Sequence, residues 1–232
     1  MLECSTVRAA WARETANARL GALAPATPPP TPAVLAKTVT ALDIVSNGRA
    51  QLGIGAGWFE LEHDAFGLEF GTFTDRFERL EEAPQVILPM LRGESSTFDG
   101  ARYRTQNAFN FPAPVGRIPV MIGGGGERKT LRMVAQYADE SNIICEARDV
   151  PRKLEALAEH CEVLGRDRSE ITVSWQRSVC LAPTMEEAQA DLRAWFERRG
   201  IDLDALPDDV RAMHTGRFFV GDPDTIGERF VE

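Results

Sequence analysis

The sequence predicts an α/β fold, a parallel sheet with helices packed outside it. Three observations carry this. Strand-like and helix-like segments alternate along the chain, the pattern of βα units. The strand candidates are continuous apolar runs, as expected when both faces of a sheet are covered. Two of them, at 50–57 and 118–122, run into glycine turns, and ligands in such folds bind at the carboxyl ends of strands. From the pattern alone, a doubly wound open sheet and a (β/α)8 barrel both fit.

Taken in order, residues 6–18 read as a helix with Ala9, Ala10, Thr15 and Ala16 on its apolar side. Residues 19–24 are a short strand candidate. Pro25, Pro28, Pro29 and Pro30 then impose loop or extended chain, and Pro32 suits the first turn of a helix over 33–45. Asn47-Gly48 stops that helix. Residues 50–57 form a buried strand, and 58–73 an aromatic and acidic loop. A helical stripe through Phe77, Leu80, Ile87, Leu88 and Leu91 spans 74–91. Pro84 inside it predicts a bend or break over 80–84, since an interior proline costs about 3 kcal/mol. Asp99-Gly100 signals a hairpin. Strand, glycine loop and helix follow at 118–135, then a strand at 141–145 and an amphipathic helix at 151–164. Residues 171–181 read as one β-branched strand. Thr184 and Glu187 form a capping box for a helix that faces inward through Ala188, Leu192 and Trp195. Residues 202–209 read as a mobile insertion, 217–220 as a strand, and Asp222-Pro223 as the start of a last helix.

Composition narrows the function classes. The 232 residues are 44% hydrophobic and 26% charged, with a formal net charge of -9. That is ordinary for a globular domain and argues against a general nucleic-acid surface. No apolar stretch is long enough to span a bilayer, and the first residues do not resemble a signal peptide. Cys4, Cys145, Cys161 and Cys180 are widely spaced, which reads as reduced thiols in a cytoplasmic protein. His63, His160 and His214 have no zinc-type spacing, so no metal site is expected.

The chemistry concentrates in two turns. Gly123-Gly124-Gly125-Gly126 lies between an apolar strand and a helix. Glycines let backbone approach a ligand closely, and a helix start offers free N–H groups and the positive end of its dipole to a phosphate. Arg128 and Lys129 could add positive charge. The alternative is a flexible connection. Gly53-x-Gly55-x-Gly57 lacks the G-x-G-x-x-G spacing of a dinucleotide site and reads better as a backbone wall for a flat ring. Trp58 either flanks that ring or is a core aromatic. His63, beside Glu60 and Glu62, is either an acid–base group at the mouth or a solvated loop histidine. Glu81-Glu82 and Asp208-Asp209 read as exposed charges.

Several segments occur in one order: Ala33-Val34-Leu35-Ala36-Lys37, Leu42-Asp43, Ser46-Asn47-Gly48-Arg49, Leu52-Gly53-Ile54-Gly55-Ala56-Gly57-Trp58, Arg76-Phe77-Glu78-Arg79-Leu80-Glu81-Glu82, and Ile122-Gly123-Gly124-Gly125-Gly126-Glu127-Arg128-Lys129-Thr130-Leu131. With Ala138-Asp139 and Val220-Gly221-Asp222-Pro223, this set resembles the luciferase-like monooxygenase superfamily. The Gly-Ala-Gly-Trp form resembles its branch that uses the deazaflavin coenzyme F420.

The resemblance implies a (β/α)8 barrel of the TIM type with its cofactor at the carboxyl ends of the strands. It implies that Gly55, Ala56, Gly57 and Trp58 border the ring. It also implies that Gly123, Gly124, Gly125, Gly126, Glu127, Arg128 and Thr130 hold the phosphate. The expected function is hydride transfer between F420 and a small organic substrate, with His63 as the candidate catalytic residue. One alternative is an FMN-dependent monooxygenase, against which the small Ala56 leans. Another is a truncated flavin-binding protein without catalysis. In the family pattern two βα units precede residues 3–18 and a strand follows residue 232. The expectation is therefore a single partial domain over 1–232 that lacks the first two strands and the last, through a mis-started frame, a fragment, or a reduced relative. Exposed sheet edges make a homo-oligomer possible.

Overall fold

The structure, a computed structural model, describes residues 3–23 and 31–230. These fall into two compact units: Met1–Ile143 with Arg152–Ser174, and Ile144–Pro151 with Trp175–Glu232.

The first unit opens with α1 (Cys4–Glu14), shorter than the sequence pattern suggests. Thr15 turns extended (φ -120°, ψ 152°), and Arg49 collects the carbonyls of Ala12, Thr15 and Ala18 at 2.6–2.9 Å. The chain then runs beside the sheet, where Leu20 bridges Ala50 in parallel. The proline cluster at 25–30 lies outside the described residues. Helix α2 (Pro32–Ser46) starts on Pro32 and ends at Asn47 in the left-handed region. It packs against α1 and against α4 (Phe73–Leu91).

Helix α4 is not broken at Pro84, nor at Pro89. Each proline removes one amide, but the stripe Leu80, Ala83, Val86, Ile87 and Met90 stays almost wholly buried and holds the helix together. Thr72 and Asp75 start it with a reciprocal capping box. The expected hairpin follows as β2 (Ser96–Asp99) antiparallel to β3 (Arg104–Ala108). Glu82 on α4 accepts the backbone N–H groups of Ala101, Arg102 and Tyr103 at 2.9 Å each.

The main sheet contains β1 (Leu52–Ile54), β4 (Val120–Gly123), β5 (Glu140–Ile143) and β6 (Thr172–Trp175), in that spatial order. The β1–β4 and β4–β5 pairs are parallel. Strand order follows chain order with no reversal, which favours a barrel wall over a doubly wound sheet with its switch point. Gly53 is required on β1, because a Cβ there would stand 2.1 Å from the Ala22 carbonyl oxygen. Helix α5 (Thr130–Tyr137) covers β4 and β5 through Leu131, Met133, Val134 and Ala135. Helix α6 (Val150–Leu164) contributes buried Leu157 and Cys161.

The second unit has its own parallel pair, β7 (Ser178–Leu181) with β8 (Phe218–Gly221). The single strand expected over 171–181 is thus two strands in two sheets. The interruption is at Gln176-Arg177, where Arg177 lies over the Trp175 ring at 4.7 Å and donates to the Gly216 carbonyl at 2.7 Å. Helix α7 (Met185–Glu197) carries the expected capping box and buries Ala188, Leu192 and Phe196, while Trp195 packs at that cluster's margin. Residues 202–209 hold a 3-10 turn over Leu203–Ala205, with Leu203 buried, and the start of α8 (Asp208–Thr215). Asp222 caps α9 (Pro223–Arg229) through the Thr225 amide.

Candidate functional site

Ile54 of β1 pairs with Ile122 of β4. The turns that leave these two strands therefore emerge side by side, from the same end of neighbouring strands. This brings together the two segments that the sequence singles out.

The turn after β4 is an open cradle of backbone. Gly124 sits at φ +132°, a conformation that favours glycine, and its amide donates to the Asn142 carbonyl at 2.9 Å. Asn142 is buried, and its Nδ2 donates to the Ser174 hydroxyl at 2.8 Å. The amides of Gly125 and Gly126 have no acceptor among the described residues. Helix α5 begins after the turn at 127–129, and its N-cap residue Lys129 provides no side-chain cap. Within its first turn the Leu131 amide donates to the Gly126 carbonyl at 3.0 Å. A Cβ on Gly126 would come within 3.0 Å of the Thr130 hydroxyl, and one on Gly124 within 3.2 Å of Thr130 Cγ2. Side chains at these two positions would crowd Thr130.

The charges around the cradle are distinct in role. Arg128 is exposed and forms no ion pair among the described residues. Lys129 lies over Phe73 and Phe77 at 5.3 and 5.4 Å. The Glu127 carboxylate is turned to α6, where Lys153 reaches it at 2.7 Å and Arg152 at 2.6 Å. The hydrogen bond from Lys153, before any other cause, holds Glu127 below the usual glutamate range.

The turn after β1 carries Gly55, Ala56, Gly57 and Trp58. Gly57 has φ +78°. Trp58 is 81% exposed and stacks on Phe59 at 5.1 Å, which excludes the core-aromatic reading. The segment beyond is not all loop, because Glu60–Ala65 forms a short helix, α3. His63 lies on it and is buried rather than solvated. Its Nδ1 is 2.9 Å from the Phe59 carbonyl, and its ring meets the edge of Phe70 at 4.9 Å. The carbonyl can only accept, so Nδ1 carries a proton, and in the neutral ring the lone pair is on Nε2.

Other features were not legible beforehand. Lys153 and His160 reach the cradle from a helix more than twenty residues downstream, with no local spacing to announce them. Within the second unit a cavity of about 460 Å³ is lined by Arg148, Arg177, Phe218, Phe219 and Arg229 among others. Among the described residues no group of histidine, cysteine and carboxylate side chains could hold a metal, and no helix is long and apolar enough to cross a membrane.

Known proteins resemble this chain in the same direction. A protein of Nakamurella multipartita named F420-dependent glucose-6-phosphate dehydrogenase is 31% identical over 169 residues, covering 71% of this chain and 49% of its own length. The chain spans about half the length of several such curated relatives. A coenzyme F420-dependent tetrahydromethanopterin reductase from Methanopyrus kandleri superposes with a TM-score of 0.81 at 20% identity, covering 99% of this chain and 78% of that one. A monooxygenase from Streptomyces bottropensis superposes with a TM-score of 0.79 at 18% identity, covering 99% and 71%. The fold is of the (β/α)8 barrel type. The family pattern described as luciferase-like monooxygenase matches residues 2–232, and the chain belongs to that family.

Proposed function

We propose that this chain is part of an oxidoreductase that moves a hydride between coenzyme F420 and a small organic substrate. The observation that carries the reading is the pair of acceptor-free amides at Gly125 and Gly126 beside an uncapped helix start, next to an exposed tryptophan on the neighbouring strand's turn. The first part suits a phosphate. The second suits a flat ring system. The relatives named for F420 support the choice of coenzyme.

On this reading Gly123, Gly124, Gly125, Gly126 and Thr130 hold the phosphate, with Arg128 adding charge. Gly55, Ala56, Gly57 and Trp58 border the ring. The coenzyme supplies the hydride chemistry when bound, and the protein supplies binding, orientation and electrostatics. His63 is the proposed proton carrier through Nε2. The structural neighbour from Streptomyces is named a monooxygenase, which fits the monooxygenase part of the FMN-dependent alternative, and Ala56, small at the ring wall, weighs against it.

Fluorescence and absorbance titration with F420 and with FMN tests this. F420 is expected to bind more tightly than FMN, and Gly126→Val to weaken it about ten-fold or more, since ten-fold is ~1.4 kcal/mol and a charge-assisted hydrogen bond is worth that much. Unchanged affinity in Gly126→Val would overturn the phosphate assignment. In a turnover assay His63→Ala should lose roughly 100-fold with coenzyme affinity kept. A loss of about two-fold or less, far below the general acid–base range, removes His63.

A further inference from the structure

Glu127 stands at the end of the glycine cradle, and a carboxylate there would repel a phosphate. Three contacts from α6 change its role. Lys153 Nζ and Arg152 Nη1 hold its carboxylate at 2.7 and 2.6 Å. His160 Nε2 lies 2.8 Å from its backbone carbonyl oxygen, so it donates. Lys153 and His160 are seven residues apart on α6, so they share one face about two turns apart. Lys153 is only 14% exposed, and Glu127 28%, so neither end of this link swings freely in solvent.

The contact with His160 has a geometric consequence. A trans peptide is planar, with its C=O and the next N–H pointing in opposite directions. Holding the Glu127 carbonyl on the α6 side therefore turns the Arg128 N–H away from α6. That amide, like those of Gly125 and Gly126, has no acceptor among the described residues. The side-chain link fixes the same residue by a second point, which removes rotation of the peptide about its flanking bonds.

We propose that Lys153, Glu127 and His160 are positioning residues that set the cradle's amides for the coenzyme's phosphate, Glu127 acting as a tether and not as a ligand. This rests on the phosphate reading above. It differs from a plain charge effect in sign. If Glu127 acted only through its charge, Glu127→Gln would tighten phosphate binding. If it is a tether, Glu127→Gln loosens the cradle and weakens binding.

The test compares F420 with the same deazaflavin nucleoside lacking the phosphate, titrated by fluorescence against the whole chain, with melting temperature as a control. His160→Leu, Lys153→Met and Glu127→Gln are each expected to weaken F420 about ten-fold, the equivalent of ~1.4 kcal/mol. Binding of the phosphate-free form should not change. His160→Gln keeps an N–H donor and should recover affinity to within about three-fold, less than 1 kcal/mol. If His160→Leu fails to fold, Glu127→Gln, at a partly exposed position, still decides the sign. Retained preference for the phosphorylated form in these variants, tightening in Glu127→Gln, or equal weakening of both forms would overturn the proposal. A wild-type chain that bound both forms alike would overturn the phosphate reading itself and the tether with it.

Discussion

Asp43 shows how one buried side chain organises distant backbone. It is fully buried. Its Oδ1 accepts the Ala50 amide at 3.3 Å, and its Oδ2 accepts those of Val115 and Gly116 at 2.9 and 3.3 Å. Asp43→Ala would leave the buried Ala50 amide without a partner, whereas Val115 and Gly116 are exposed and can turn to water. The expected loss is about 1–3 kcal/mol, the cost of one unsatisfied buried group. Urea denaturation measures it, and a loss under about 1 kcal/mol, the worth of an ordinary hydrogen bond, would show that water takes over. Leu42-Asp43 is visible in the sequence as part of a family pattern. That its carboxylate serves a segment more than seventy residues away is not, since a sequence shows neighbours along the chain and not across it. The same limit hid Lys153 and His160 from any reading of the glycine loop, and it left open whether Trp58 is core or surface.

At the level of elements, local signals were reliable where the chemistry is local. Thr184-x-x-Glu187 predicts a helix start, and both reciprocal hydrogen bonds form. Thr184→Ala should cost about 1 kcal/mol, the usual worth of an N-cap, seen as a lower denaturation midpoint with an unchanged slope. No change would mean that tertiary packing alone fixes the start of α7. The cap of α4 is built the same way from Thr72 and Asp75. Signals failed where two local tendencies compete. Pro84 argues for a break, and the buried stripe of α4 overrides it. The β-branched run at 171–181 argues for one strand, yet Arg177, held by the Trp175 ring and the Gly216 carbonyl, ends one ladder and begins another.

For the whole molecule, alternating strands and helices are compatible with a barrel or an open sheet. The spatial sequence β1-β4-β5-β6 favours a barrel wall, and the family and structural likenesses supply the barrel type. Several carboxylates distributed over both units share one electrostatic character. Hydrogen bonds from the Ser5 amide and Thr6 lower Glu3 to about 2. The Thr72 hydroxyl lowers Asp75, the Thr225 amide lowers Asp222, and Lys153 lowers Glu127. Each is more acidic folded than unfolded. The stability each contributes is present above the unfolded value, and is lost as the pH falls through the folded one. Melting temperature should hold steady through mild acidity and then drop below about pH 4, where free carboxylates begin to protonate. A steady value down to pH 2 would show that these bonds contribute nothing net.

The hairpin's attachment to α4 has a practical side. One carboxylate, Glu82, gathers three of the four amides at the ribbon's tip, and Arg102 at that tip reaches Asp75 and Glu78 on the same helix. A purification handle or dye inserted there would strip the whole fastening at once. Gly200, with open space around its Cβ direction, is the better place for such a graft.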